Sequence, residues 1–300
     1  MIVSASYRTD IPAFYAGWFV ARLDAGYVRV INPYGGRPSR VPLTRETVDG
    51  FVFWTRNLAP FEDALKVVAA RGYPFVVQFT ITGYPRALDA ATIAPDVAVK
   101  QIRAAADTHG PASVVWRYDP IVLTSLTDAD SHRQHFEALA RALSGAVDEV
   151  VVSFVEVYRK TARNLATAAR AYGFTWRAAE PDETAPLLDD LAAIAAANGL
   201  TLSLCGQPAR LRDGVAEARC IDAGRLSRVA GRPIAAERKP HRSTCACARS
   251  RDIGAYDSCP HGCVYCYAVA SRLTAKRRFA GHDPKGEFLI PPTAKTAEDP

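Results

Sequence analysis

The sequence predicts an α/β fold, either a complete or an incomplete (β/α) TIM-like barrel. Short apolar runs rich in β-branched residues alternate with longer segments of helical periodicity, a pattern typical of a parallel sheet. About seven such runs occur, close to the number of strands in a (β/α) barrel. No G-x-G-x-x-G run follows the first of them, which disfavours a doubly wound dinucleotide-binding sheet. A barrel-like arrangement is therefore the expected architecture.

The predicted strands are short, apolar and separated by helical patterns or turn residues. They cover residues 2–6, 28–32, 51–55, 75–80, 113–118, 149–154 and 201–205. We expect them to form the sheet in which the carboxyl ends of all strands share one edge.

Four helices carry clear boundary signals. The first begins near Pro12 behind Asp10 as its N-cap and ends before Gly26. The second begins at Pro95 and ends at Gly110. Two further apolar stripes end at Gly145 and at Asn198-Gly199; they consist of Phe136, Leu139 and Leu143, and of Leu187, Leu191 and Ile194. These stripes predict core-facing surfaces and carry no functional signal.

The periodicity fades after Gly206, which predicts a division of the chain. Residues 1–206 are expected to form the barrel-like domain, and residues 207–290 a cysteine-rich segment packed on it. Such a segment would be held by metal ligation more than by a core of its own. Residues 291–300, rich in Pro, Thr, Ala and Lys, are expected to be disordered.

Composition and cysteine usage indicate an intracellular protein. The first residues lack a basic stretch followed by a long apolar one, and no uncharged segment approaches the length of a membrane span, so we expect a cytoplasmic location and no membrane partner. The chain has seven cysteines, five of them between Cys245 and Cys266. An odd number crowded so closely does not fit a secreted disulfide framework, and in a reducing compartment it favours metal binding.

The spacing of Cys259, Cys263 and Cys266 is C-x3-C-x2-C. Three thiolates in such a loop can hold a 4Fe–4S cluster and leave one iron open, while Gly262 permits the sharp turn. An open iron can bind S-adenosylmethionine, and an electron from the cluster can then cleave its sulfonium. The alternative is a structural zinc site that uses these cysteines with His261, or with Cys245 and Cys247.

Four cysteines remain outside this loop: Cys205, Cys220, Cys245 and Cys247. Four is the number that an all-cysteine iron–sulfur cluster or a zinc site with four thiolates requires. A second metal centre, iron–sulfur or zinc, is therefore one hypothesis. In the other, Cys205 and Cys220 are small buried hydrophobic residues, as free cysteines commonly are.

Polar residues gather where the predicted strands end, and in a barrel these ends form the functional surface. The set comprises Arg8, Asp10, Thr55, Arg56, Gln78, Thr80, Arg117, Asp119, Ser153 and Glu156. We predict catalytic roles for Arg117, Asp119 and Glu156, and cofactor binding by Gln78, Thr80 and Ser153.

Two residue pairs, Arg117 with Asp119 and His132 with His135, have interpretations that involve no function. An Arg-x-Asp pair such as Arg117 and Asp119 is commonly a salt bridge that closes a strand. His132 and His135 lie a turn apart on a predicted helix, but without a further ligand nearby they are expected to face solvent.

Residues 245–268, CACARSRDIGAYDSCPHGCVYCYA, resemble the domain of unknown function 1848 family. The runs SASYRTDIP, FWTRN, QFTITGY and WRYDP in the first half of the chain resemble it as well. Members are similar to radical SAM proteins whose cluster loop lies at the C-terminus. The resemblance implies a 4Fe–4S cluster and S-adenosylmethionine as cofactors, with Tyr265 near the adenine. The Gly-Gly-Glu-like run by which radical SAM proteins bind the amino group of the cofactor is absent from this sequence.

Two classes of function follow, beside a third alternative in which the clusters transfer electrons without substrate chemistry. In the first, the protein is an enzyme that cleaves S-adenosylmethionine to a 5′-deoxyadenosyl radical, acts on an unknown substrate and takes electrons from a donor such as ferredoxin or flavodoxin. In the second, a metal-bound module without radical chemistry binds nucleic acid through its basic tail and Tyr256, Tyr265 and Tyr267, which the formal charge of +6 permits.

Overall fold

The computed structural model describes residues 1–32, 35, 37–239 and 244–292. Its strands are β1 (Ile2–Ala5), β2 (Tyr27–Val30), β3 (Ser39–Pro42), β4 (Gly50–Thr55), β5 (Phe75–Thr80), β6 (Val114–Ile121), β7 (Glu149–Phe154), β8 (Thr201–Leu204), β9 (Ala216–Glu217) and β10 (Ser250–Asp252). Its α-helices are α1 (Ile11–Phe14), α2 (Ala16–Ala25), α3 (Glu62–Ala70), α4 (Pro95–His109), α5 (Ala129–Leu143), α6 (Arg159–Tyr172), α7 (Pro181–Ala197), α8 (Ala223–Ala230) and α9 (Arg272–Ala280).

Eight strands form one parallel sheet in the order β10-β1-β4-β5-β6-β7-β8-β9. Helices alternate with these strands along the chain, so the predicted α/β class is confirmed, and the arrangement is consistent with a TIM-like barrel. The two terminal strands, β9 and β10, were not predicted. They have only two and three residues, and their sequences, Ala-Glu and Ser-Arg-Asp, contain no apolar run.

The strand predicted at residues 28–32 forms, but it lies outside the main sheet. β2 pairs antiparallel with β3, and the two make a separate hairpin. Parallel neighbours need a crossover of a dozen or more residues, whereas an antiparallel pair is joined by a short loop. The loop between Val30 and Ser39 is short enough for the second arrangement only.

Both faces of the main sheet are buried. One face carries Phe53, Val77 and Trp116, which pack with the helices in the larger core. The residues that alternate with them, Val52, Val76, Val115 and Val151 among others, pack in a second core against residues from the segment 218–248. Burial on both faces explains why the strands read as continuous apolar runs rather than alternating ones.

The predicted helix boundaries agree closely with the structure. Asp10 caps α1 by accepting a hydrogen bond from the Ala13 N–H at 2.9 Å, and Gly26 ends α2 with a φ of +72°. Tyr15 interrupts the first predicted helix and divides it into α1 and α2. α4 begins at Pro95 and its C-cap is Gly110, as predicted.

Two further sequence-based expectations concern membrane-spanning helices and the C-terminal tail. Among the described residues, the helices are all too short or too polar to cross a membrane. The tail predicted at 291–300 lies outside the described residues from position 293 onward.

Candidate functional site

The loop with Cys259, Cys263 and Cys266 lies against the segments that follow β1, β4 and β5. Its backbone forms an antiparallel bridge between Cys263 and Asp89, and the Val264 N–H donates to the Leu88 carbonyl at 3.0 Å. The loop is thereby fixed at the carboxyl ends of the strands, where (β/α) barrels carry their functional residues.

Gly262 makes the turn between the first two cysteines of the loop. Its φ of +81° lies in the left-handed region, which an L side chain rarely adopts. A Cβ at this position would also overlap Cδ and Nε of Arg272, whose Nε donates to the Pro260 carbonyl at 3.1 Å. The role that the sequence predicted for this glycine is confirmed.

All three thiols of the loop are half-buried, and burial raises the pKa of each. The positive charge of Arg56 acts in the opposite direction on Cys263 and Cys266, and that of Lys160 on Cys266. Three thiolates in this loop need more positive charge than these two side chains provide, and a metal centre would supply it.

Tyr265 belongs to a buried polar network beside Cys263. Its hydroxyl donates to Asp89 Oδ1 at 2.6 Å and accepts from Arg56 Nη2 at 2.7 Å. Arg56 Nη1 also forms an ion pair with Asp89 at 2.6 Å, and the side chain of Asp89 is only 1% exposed. Burial opposes the charge on Arg56, but Asp89, Cys263 and Tyr265 together raise its pKa well above the usual value. The ring of Tyr265 is buried, so stacking on a nucleic-acid base would have to come from other aromatic residues.

His261, a possible zinc ligand by sequence, is occupied by a different partner. Its Nε2 lies 2.8 Å from Asp10 Oδ2, and both residues are buried. Its Nδ1 lies 3.4 Å from the Ala91 carbonyl. Asp10 also accepts from the Arg56 N–H at 2.8 Å, so this carboxylate ties the loop to the ends of β1 and β4.

The other four cysteines lie together in a second group. Cys205 Sγ and Cys220 Sγ are 3.3 Å apart, and Cys247 forms side-chain hydrogen bonds with Cys220 and Cys245. Cys220, Cys245 and Cys247 are buried among apolar residues, while Cys205 is half-buried. The structure brings together four residues that are spread over 43 positions of sequence, from 205 to 247.

Hydrogen bonds lower the pKa of Cys220 well below its usual value. They come from Cys205 and Cys247, and the charge of Arg117 adds to them. The same contact with Cys220, together with burial, raises the pKa of Cys205. These two shifts favour Cys220 over Cys205 as the thiol that ionises first.

Most of the predicted catalytic and cofactor-binding residues lie beside this second group. Arg117 Nη1 is 3.0 Å from Cys220 Sγ and 3.2 Å from Gln78 Oε1. Gln78 Nε2 donates to the Cys220 carbonyl at 3.0 Å. Arg117 also forms an ion pair with Asp119, which accepts a hydrogen bond from Ser153.

The hydrogen bonds that connect Gln78, Arg117, Asp119 and Ser153 to Cys220 do not include Thr80 or Glu156. Thr80 is half-buried at the end of β5 and is in register with Arg117 of β6. Glu156 accepts a hydrogen bond from the Tyr158 hydroxyl. The predicted roles of both stay predictions.

A family model described as "Domain of unknown function (DUF1848)" matches residues 2–268. The chain belongs to the DUF1848 family. No match to the chain was found among curated proteins. Both cysteine groups lie within the matched range, so both are part of the DUF1848 domain as it occurs here.

A single metal ion and a 4Fe–4S cluster make different demands on the three thiols of the loop in this DUF1848 domain. Over residues 1–32, 35, 37–239 and 244–292, no three Cys, His, Asp or Glu side chains are already grouped to hold a metal ion. A 4Fe–4S cluster is wider than a single ion, so its three thiolates need not converge on one point. The donor set of the C-x3-C-x2-C loop, three thiols with His261 engaged elsewhere, fits such a cluster and its open iron.

Sequence reasoning missed the function of Asp89 and misjudged His132. Asp89 stands in a loop between apolar residues and carries no motif, although it holds both Arg56 and Tyr265. His132 was expected to face solvent, which is wrong: it is 1% exposed, and its Nδ1 lies 2.8 Å from the Tyr118 hydroxyl. The apolar positions that surround it along α5 were the available signal; His135, one turn further, is exposed as expected.

Proposed function

We propose that this DUF1848 protein is a radical-SAM-like iron–sulfur enzyme that acts on a substrate still to be identified. Cys259, Cys263 and Cys266 would hold a 4Fe–4S cluster. A bound cluster, reduced by a donor such as ferredoxin or flavodoxin, would supply the one electron that cleaves the C5′–S bond of S-adenosylmethionine, giving methionine and, after hydrogen abstraction from the substrate, 5′-deoxyadenosine.

One observation carries this proposal: the loop has three thiols at the carboxyl ends of β1, β4 and β5, and its neighbouring histidine is held by Asp10. A structural zinc site normally has four protein ligands. Both ring nitrogens of His261 face protein oxygens, Asp10 Oδ2 at 2.8 Å and the Ala91 carbonyl at 3.4 Å, and Cys245 and Cys247 belong to the second group. Both sources of a fourth ligand considered for zinc therefore have other partners. A site of three thiolates with an open metal position is what the proposed chemistry needs.

The surrounding residues have defined tasks in this proposal. Arg56 provides a buried positive charge beside Cys263, which offsets part of the negative charge of the thiolates. Asp89 and Tyr265 fix the position of that guanidinium through ion pairing and hydrogen bonding. Asp10 accepts hydrogen bonds from His261 and from the N–H of Arg56, so this one carboxylate connects the loop to the ends of β1 and β4.

The first test is anaerobic reconstitution with iron and sulfide, followed by dithionite and S-adenosylmethionine. The expected product is 5′-deoxyadenosine, measured by liquid chromatography and mass spectrometry. The matched control is Cys263→Ala, which removes one cluster ligand and should abolish both the cluster absorbance and the product.

The proposal fails if the cluster assembles in the wild-type protein and no 5′-deoxyadenosine forms above the level of Cys263→Ala. It also fails if Cys263→Ala retains a full complement of iron, because the loop would then not be the cluster site. Arg56→Lys serves as a second variant. It keeps the charge but loses the fork that reaches both Asp89 and Tyr265, and we expect slower product formation with iron content unchanged.

A further inference from the structure

The second cysteine group consists of thiols that interact with one another. Cys205 Sγ and Cys220 Sγ are 3.3 Å apart, and the Cys247 thiol forms hydrogen bonds with the thiols of Cys220 and Cys245. In a tetrahedral zinc site with Zn–S bonds of about 2.3 Å, the sulfurs are about 3.8 Å from one another. The 3.3 Å between Cys205 Sγ and Cys220 Sγ is thus slightly shorter than the separation of two sulfurs bound to one ion, and far shorter than that of two cysteines on a cubane of four irons and four sulfides.

Hydrogen-bond donors point at three of these sulfurs. The Ile221 N–H donates to Cys247 Sγ at 3.5 Å, and the Cys247 N–H donates to Cys245 Sγ at 3.3 Å. Arg117 Nη1 donates to Cys220 Sγ at 3.0 Å. N–H groups and a guanidinium favour sulfur as an acceptor, which is the role of a thiolate bound to metal.

If the four thiols of the second cysteine group ionise, their negative charge exceeds the positive charge beside them, and another cation is needed. Arg117 is the positive group in contact with the sulfurs, and it is also paired with Asp119, with Nη2 and Oδ2 2.5 Å apart. One guanidinium already shared with a carboxylate cannot compensate four buried thiolates. A divalent ion bound to all four sulfurs would offset half of their negative charge and pair directly with each of them.

We propose that Cys205, Cys220, Cys245 and Cys247 bind one Zn²⁺ ion as a second, structural metal centre. Binding requires the sulfurs to rotate from their present contacts into a tetrahedron, with loss of a proton from each thiol. Arg117 and Gln78 would then be positioning residues for this site: Arg117 holds Cys220 Sγ, and Gln78 holds the Cys220 backbone.

The position of the site in the chain explains what it would stabilise. Cys205 directly follows β8, and Cys245 and Cys247 precede β10, so ligation ties together the two ends of a long connection. Within the described part of that connection the regular elements are short, β9 with two residues and α8 with eight. A segment with so little regular structure gains most from a metal cross-link.

The test is metal analysis of the full chain purified without oxygen, with iron, zinc and acid-labile sulfide measured together. The expected result is one zinc and about four irons per chain, the latter for a single cluster. Cys247→Ser should lose the zinc and keep the iron, whereas Cys263→Ser should lose the iron and keep the zinc. This crossed pattern also separates the two proposals, because iron content and 5′-deoxyadenosine report on the first loop alone.

A measurement on the unmutated chain guards against variants that fail to fold. Zinc is removed with a chelator and replaced by Co²⁺, whose absorption is expected to show the intense sulfur-to-metal bands and tetrahedral d–d bands of a four-thiolate site. Three results would overturn the proposal: about eight irons and no zinc, which indicates a second cluster; zinc retained in Cys247→Ser; or a Cys205–Cys220 disulfide with no second metal.

Discussion

His261 Nε2 lies 2.8 Å from Asp10 Oδ2, although 251 positions of sequence separate the two residues. The pair joins the cysteine loop near the end of the domain to the segment after its first strand. Asp10 also caps α1 through Oδ1 and binds the Arg56 N–H through Oδ2, so it organises three elements around one carboxylate. The imidazole thus attaches the loop to the segment after β1, and the cluster site that we propose uses the three thiols as its donors.

Replacement of His261 tests this division of roles. We expect His261→Gln to retain the iron content of the wild-type protein, because the histidine faces a carboxylate rather than the metal. Stability should fall by about 1–3 kcal/mol, since Asp10 loses a buried hydrogen bond. Iron analysis and urea unfolding, with Cys259→Ser as the variant that should lose iron, are the measurements. Loss of iron from His261→Gln to the level of Cys259→Ser would make this residue a ligand.

The ion pair of Arg8 and Asp252 holds β10 against β1. Arg8 Nε is 2.8 Å from Asp252 Oδ1, and the two side chains are 8% and 3% exposed. The same carboxylate accepts hydrogen bonds from the hydroxyls of Ser4 and Ser6 at 2.6 and 2.8 Å. Removal of this charge should therefore cost far more than removal of a surface charge.

We expect Asp252→Asn to lower the free energy of unfolding by about 3–5 kcal/mol, because it leaves Arg8 buried without its partner. The control is Asp63→Asn, whose carboxylate is 95% exposed and paired with Lys66; its effect should be far smaller than that of Asp252→Asn. Urea unfolding followed by circular dichroism gives both values. Equal losses in the two variants would show that the buried pair contributes nothing special.

The sequence predicted local features well because they depend on neighbouring residues. The parallel strands, the Asp10 cap and the turn at Gly262 are set by residues a few positions apart. Partners across the fold were not predictable: Asp89 and Tyr265 are 176 positions apart, and no local pattern links them. For the same reason the sequence predicted Arg117 at the barrel mouth but could not predict that its guanidinium contacts Cys220, 103 positions away.

The buried His132 gives the protein a specific pH dependence. Burial lowers its pKa from 6.5 to about 4, so the folded chain keeps this imidazole neutral. Between these two pH values the unfolded chain binds a proton that the folded chain does not, and stability therefore rises with pH. The contribution is complete above about pH 6.5, and about 3 kcal/mol is lost as the pH falls to about 4.

The check is urea unfolding at a series of pH values between 4 and 7. His132→Gln removes the titrating group, so the slope of unfolding free energy against pH should decrease in this range. His135→Gln, on the exposed side of the same helix, removes only a secondary charge effect on His132 and should reduce the slope much less, because burial is the main cause of the shift. If His132→Gln kept the wild-type slope, other groups would be responsible for the pH dependence.

Gly262 and Gly110 allow a matched test of the cysteine loop. Both have a positive φ, +81° and +85°, but only at Gly262 would a Cβ meet another side chain, that of Arg272. Gly110→Ala should therefore cost about 1–3 kcal/mol from backbone strain alone and leave iron binding intact. Gly262→Ala should in addition displace the loop and lower the iron content after reconstitution. Because the overlap involves Cδ and Nε of Arg272, the double variant Gly262→Ala/Arg272→Ala should recover part of the iron. No recovery would mean that backbone strain, rather than the contact with Arg272, limits the loop.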